Sequence, residues 1–221
     1  MPDERTGTDL ADRLVASVTQ AGSARTSPVL YRTLLRLLAC GKPVEIAQLA
    51  AAAGRAGNDV QRIVAAWPDT EYDAEGRIVG WGITLNPTPH RFTVDGRTLY
   101  TWCALDTLFF PTVIGRRALV EGSCHATGVP IRLVVDPTAG VSALAPASAV
   151  VSLVIPEQMS SVRAAFCNPG RFFAVADAAR DWQDLHPGMQ ILPVADAYQA
   201  ARQLSAVLLS VGGEPLRHCM T

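Results

Sequence analysis

The stretch SPVLYRTLLRLLACG, residues 27–41, decides how the first third of the chain folds. Its leucines recur at helical spacing, Ser27 stands where a cap belongs, Pro28 suits a first turn and Gly41 follows the last apolar turn. The pattern predicts a helix over 28–39, with another before it over 8–24. KPVEIAQLAAAAG, 42–54, reads as a short helix opened by Pro43 and closed by Gly54. NDVQRIVAAWPD, 58–69, reads as a third, with Asn58 as cap and Pro68 as stop. EYDAEGRIVGWGITL, 71–85, then offers two short extended runs around AEG, which is a hairpin pattern. Helices followed by a hairpin are the outline of a winged helix, a fold that usually binds DNA. The presumed recognition helix, Asn58 to Trp67, has Arg62 as its only cation. A DNA reader needs several phosphate contacts, so a retained scaffold is expected, with no nucleic-acid partner.

Beyond residue 85 the pattern changes. NPTPHRFTVDGRTL, 86–99, is rich in turn residues and reads as a linker feeding an extended run. Residues 117–156 hold β-branched runs broken by TGVP, DPTAG and AP, which predicts an antiparallel sheet. DAARDWQDLHPG, 177–188, reads as a helix stopped by Pro187 and Gly188, and VADAYQAARQLSAVLLSVG, 194–212, as a final amphipathic helix. The expected fold class is α+β. A helical winged-helix-like domain, 1–85, precedes a catalytic α+β domain, 86–221, with a mainly antiparallel sheet.

The bulk composition narrows the function. Of 221 residues, 49% are hydrophobic and 18% charged, which is globular rather than disordered. The net charge of −1 gives no ground for a nucleic-acid or membrane surface as the main partner. No apolar run approaches membrane-span length, and the acidic start MPDERTGTDLADRL is no secretory signal, so the cytoplasm is the default location. Cysteines at 40, 103, 124, 167 and 219 are odd in number, widely spaced and without a CxxC. Reduced thiols are expected rather than a disulfide framework or a structural zinc site.

In YTWCALDTLFFP, 100–111, a thiol and a carboxyl stand three apart in apolar surroundings. At that spacing Cys103 and Asp106 share one side of a helix. If the helix begins near Thr101, its N-terminus favours the Cys103 thiolate, while apolar neighbours keep Asp106 protonated. The pair is then a nucleophile beside a poised acid; the alternative is a buried passenger thiol and a helix-surface carboxylate. Cys167 precedes a Pro-Gly turn in VRAAFCNPGRFF. Two thiols and one protonatable carboxyl suit a soft metal, whereas the four histidines show no ligand spacing.

YTWCALDTLFFPTVIGR at 100–116, VEGSCHATGVPI at 120–131, FCNPGRFFAVADAARDWQ at 166–183 and LLRLLACGKPVEIAQLA at 34–50 together resemble the organomercurial (alkylmercury) lyases of bacterial mercury resistance. The resemblance covers most of the chain. It implies that Cys103, Cys167 and Asp106 form the site, with mercury as substrate and product rather than resident cofactor. It also implies protonolysis of alkyl and aryl mercurials to the hydrocarbon and Hg(II), with the metal held by the two thiolates. Low-molecular-weight thiols or mercuric reductase would then remove the product, and no cofactor is implied. Asn168 stands where some members carry a second cysteine, so no thiol relay is expected there. Cys124 is expected to be a structural strand residue, Cys40 core, Cys219 a tail residue without a role, and Trp102 packing behind the site. The alternative is a winged-helix regulator that senses thiols or metals.

Overall fold

A computed structural model describes Arg13 and residues 27–155 and 161–210. Apart from Arg13, the expected helix at 8–24 lies outside these, as does Cys219. Three helices come first: α1 (Pro28–Leu38), α2 (Ile46–Ala53) and α3 (Gly57–Ala65). The hydrophobic spacing in α1 puts Leu30, Leu34, Leu35 and Leu38 at zero exposure. Each such burial is worth roughly 2 kcal/mol. Two capping expectations fail. Ser27 makes no cap hydrogen bond, and Asn58 lies inside α3, whose preceding residue Ala56 has no capping side chain. α2 starts three residues beyond Pro43, because Val44 pairs instead with Ile78 of the hairpin. Gly54 closes α2 in the left-handed conformation, as expected.

Strands β1 (Glu71–Tyr72), β2 (Ile78–Trp81) and β3 (Ile83–Thr84) form the wing. The segment expected to be a linker contains a second hairpin. β4 (His90–Val94) and β5 (Arg97–Thr101) meet at Asp95-Gly96, both at positive φ. That dipeptide is a strong two-residue hairpin signal, since both turn positions need left-handed backbone. Next come α4 (Ala104–Ile114), β6 (Ala118–Ser123), β7 (Pro130–Asp136), β8 (Gly140–Ala145) and β9 (Val150–Leu153).

The chain continues through a five-residue π turn (Arg163–Cys167), β10 (Phe172–Phe173), a 3₁₀ turn (Ala176–Ala179), α5 (Arg180–Asp184), β11 (Gln190–Pro193) and α6 (Val194–Ser210). Two antiparallel sheets result, ordered β1-β2-β3-β5-β4-β6-β7-β8 and β10-β9-β11. The wing therefore belongs to the same sheet as β4–β8. This is the expected α+β class: a helical module, then a mainly antiparallel sheet. Among the described residues no helix is long and apolar enough to cross a membrane.

Helix α4 is the centre of the molecule. Ten of its eleven residues are buried, only Thr112 being partly exposed. It packs against β4–β7, α1 and α6, so it is apolar on every side. Gly82, between β2 and β3 at φ +81°, makes room for it: a Cβ there would lie 2.4 Å from Phe110 Cζ. The start of this buried helix carries Cys103 and Asp106.

Candidate active site

Cys103 does not lie in the first turn of α4. It is the residue before it, with extended backbone. Its sulfur accepts the Asp106 backbone N–H, and Asp106 Oδ2 accepts the Cys103 N–H at 3.3 Å. This is a capping box with cysteine in place of the usual serine or threonine. Their spacing of three thus reflects reciprocal capping as well as a shared helix side. Thr101 Oγ1 donates to the Cys103 carbonyl at 2.9 Å, and the Trp102 N–H to Gly82 O at 3.1 Å, so the approach to the helix is held on both sides.

Cys167 comes from the π turn, 64 positions after Cys103. Its thiol donates to Asp106 Oδ2 at 3.9 Å, a sulfur hydrogen bond. The ligand atoms of Cys103, Asp106 and Cys167 all lie within 4.8 Å of one another, and all three residues are buried. No other group of three metal-ligating side chains is found among the described residues.

The NPG turn makes this meeting possible. Gly170 O accepts the first N–H of α4 at 3.1 Å, while Gly170 N–H donates to Cys167 O at 2.9 Å. A Cβ on Gly170 would come within 3.0 Å of Cys103 Cβ and 3.5 Å of its sulfur, so only glycine lets the two segments approach this closely. Pro169 O accepts both Ser152 Oγ at 2.7 Å and Trp182 Nε1 at 3.0 Å.

Burial dominates the electrostatics. It pushes the Asp106 carboxyl up to about 7, although hydrogen bonds from both thiols and the Cys103 N–H pull the other way. Burial also raises the Cys103 thiol. The thiolate expected at the helix N-terminus is thus disfavoured, because burial raises the thiol more than the hydrogen bond from Cys167 lowers it. Cys167 lies well above the ordinary thiol range, through its hydrogen bond with Cys103 and then burial. The free site is thus a neutral trio, with two protons on sulfur and, below about pH 7, one on Asp106.

Several neighbours were not visible in the sequence. The phenol of Tyr31, on α1, is buried and raised well above its ordinary value, first by burial and then because its phenolate would be repelled by Asp106, Cys167 and Cys103 once these ionise. The helical module thus packs, through α1, against the helix that carries Asp106. Tyr31 stacks edge-on against Trp81 at 4.8 Å, and Trp81 against Trp102 at 5.3 Å. Trp102, next to Cys103 in the chain, is buried and donates to Glu71 Oε1 at 3.0 Å. The Arg163 guanidinium lies 5.2 Å from the Trp102 ring and pairs with Glu71.

Among the other cysteines, Cys124 is buried and free, but it sits just past β6 rather than within it. Cys40 is half-buried and disulfide-bonded, against the expectation of a reduced core thiol. Arg62 of α3 forms an ion pair with Asp59, which further weakens the case for a DNA-reading helix.

Comparison with known proteins points to one family. Residues 83–206 match a family model described as alkylmercury lyase, and residues 9–82 one described as the helix-turn-helix domain of alkylmercury lyase. The chain is 53% identical to an alkylmercury lyase of Streptomyces lividans, covering 91% of this chain and 93% of that protein. It is 42% identical to one of Pseudomonas putida, covering 89% and 92%. A crystal structure of the mercury-bound form of MerB2 aligns with a TM-score of 0.75 at 24% identity, over 91% of this chain and 99% of that one, which is a likeness of fold.

Proposed function

The chain belongs to the alkylmercury lyase family, whose reaction is cleavage of the carbon–mercury bond, and we propose that Cys103, Cys167 and Asp106 carry that reaction here. The observation that supports this is the convergence of two buried thiols and one buried, proton-holding carboxyl within 4.8 Å. Thiolates are soft ligands for a soft metal. A carboxylic acid near pH 7 in a dry pocket can give its proton to carbon.

The proton balance follows from the neutral trio. An organomercurial thiolate, R–Hg–SR′, exchanges its thiol ligand for one cysteine. That cysteine's proton leaves with R′SH. The second cysteine then bonds to mercury as the carbon–mercury bond breaks. Carbon takes the Asp106 proton and departs as R–H, and the second thiol's proton restores Asp106. The 3.9 Å contact from Cys167 to Asp106 Oδ2 offers a path for that last transfer. Mercury ends as Hg(II) between two sulfurs. Low-molecular-weight thiols, or mercuric reductase, would then take it by ligand exchange. The apolar walls around α4 suit alkyl and aryl groups.

In this reading residues 1–85 are a helical module and 86–221 the catalytic domain. The regulator alternative loses ground, because the helix-turn-helix match is to the lyases' own domain. The test is headspace detection of R–H from methyl- and phenylmercury in excess thiol. Cys103→Ala and Cys167→Ala should release none. Asp106→Ala should bind mercury and lose most turnover. Normal turnover by Cys103→Ala would end the proposal.

A further inference from the structure

Cys167 sits on a turn too short to hold itself, since five residues give few internal hydrogen bonds to offset their ordering. Its far side is pinned through Pro169 by Ser152 and Trp182. Its near side is pinned by a residue from the other module. Asp69, just beyond Trp67 and Pro68 at the end of the helical region, accepts Ser161 Oγ on both carboxylate oxygens, at 2.8 and 2.9 Å. It also accepts the Arg163 N–H at 3.1 Å. Ser161 Oγ in turn accepts the Ala164 N–H at 2.9 Å. Asp69 and Ser161 thus satisfy the first two N–H groups of the turn, as a cap would, but with the carboxylate supplied from 94 positions away.

The backbone of Asp69 supports the same idea. Among the described residues it is one of three non-glycine residues at positive φ, at +66°. Side chains avoid that region, Asp and Asn least so, and strained positions cluster where the surroundings require them. Here the left-handed backbone goes with a carboxylate seated on Ser161 and Arg163. Glu71, two residues on, pairs with the Arg163 side chain, so the turn is tied to the helical module at both its backbone and its side chain.

We infer that Asp69 is a positioning residue for the carbon–mercury cleavage, holding the Cys167 turn against Asp106 and Cys103 from the helical module. The inference rests on the proposed role of Cys167. Asp69 does not touch the reacting atoms; it fixes where the second sulfur stands. Displacing a reacting group by about 1 Å can cost a hundredfold in rate.

The experiment uses the full chain with phenylmercury in excess thiol, following benzene release. Asp69→Gly removes the carboxylate while easing the φ constraint. It should lower kcat about tenfold or more, leave KM near wild type and lower the unfolding temperature by only a few degrees, as loss of a cap does. Iodoacetamide should label Cys167 faster, with Cys103 labelling unchanged. Asp69→Asn keeps an acceptor for Ser161 and Arg163 and should recover most of the rate. Wild-type kcat and Cys167 labelling in Asp69→Gly would overturn the inference. So would an Asp69→Asn variant as slow as Asp69→Gly. Cys167→Ser is run beside them. If it turns over normally, the role of Cys167 itself fails; if it is inactive while Asp69→Gly is normal, only the positioning role fails. Should Asp69→Gly not fold, Ser161→Ala removes the main donor to the same carboxylate and is read the same way.

Discussion

Replacing Asp106 by asparagine separates what the carboxyl costs the fold from what it does in the reaction. Burial holds it at about 7, against an ordinary 3.8. Below about pH 4 the group is neutral in both folded and unfolded chains and favours neither. As pH rises, the unfolded chain loses this proton while the folded one keeps it. Folded stability is therefore fully present below 3.8 and is lost as pH climbs to about 7. The slope is about 1.4 kcal/mol per pH unit. That gives a loss of about 2 kcal/mol at pH 5 and a plateau near 4 kcal/mol above pH 7. An amide has no such titration, and its carbonyl can still accept from the Cys103 N–H and the Cys167 thiol. Urea unfolding of both proteins at pH 5 and pH 8 reads the difference. Relative to wild type, Asp106→Asn should gain roughly 2–3 kcal/mol more at pH 8 than at pH 5, while hydrocarbon release is lost. A wild-type-to-variant gap that is the same at both pH values would refute the reasoning, for it would mean that Asp106 ionises in the fold as it does in water.

Gly170→Ala places a methyl 3.0 Å from Cys103 Cβ and 3.3 Å from Cys167 O. Overpacking of this kind costs about 1–3 kcal/mol, and Cys103 must give way by a few tenths of an ångström. Turnover should fall by about tenfold or more, whereas Gly57→Ala, with nothing within 4 Å, should change neither rate nor folding adversely; equal kinetics for the two variants would show that the site has slack. Cys103→Ser preserves a capping oxygen and should stay within about 0.5 kcal/mol of wild type, while Cys103→Ala should lose about 1 kcal/mol. Both should be inactive, and equal stabilities by thermal unfolding would mean that the cysteine cap contributes nothing.

What was legible in the sequence follows the range of the interaction. The apolar periodicity of α1, the Gly54 stop of α2 and the hairpin around Gly76 are local patterns, and each is present. Cys103 and Asp106 were readable as a pair because three positions separate them. Their relation as a capping box was missed because cysteine is not a usual capping residue. The state of the Cys103 thiol was misjudged for a different reason: a helix terminus favours thiolate only where burial does not cost more, and burial is a property of the whole fold. Asp95-Gly96 is a local hairpin signal that the turn-rich composition of residues 86–99 masks. Tyr31, Asp69 and Gly170 reach the site across tens of residues, and no periodicity marks such contacts.

The wing strand β3 lies hydrogen-bonded on β5, through Ile83↔Thr101 and Thr84↔Tyr100. A cut at the 85/86 boundary would remove that neighbour and leave β5, the strand that leads directly into Cys103, as a bare sheet edge. Unpaired strand edges recruit other chains. An isolated catalytic fragment would therefore be prone to self-association at the place where its chemistry begins, and in the intact protein the small wing serves as the guard of that edge.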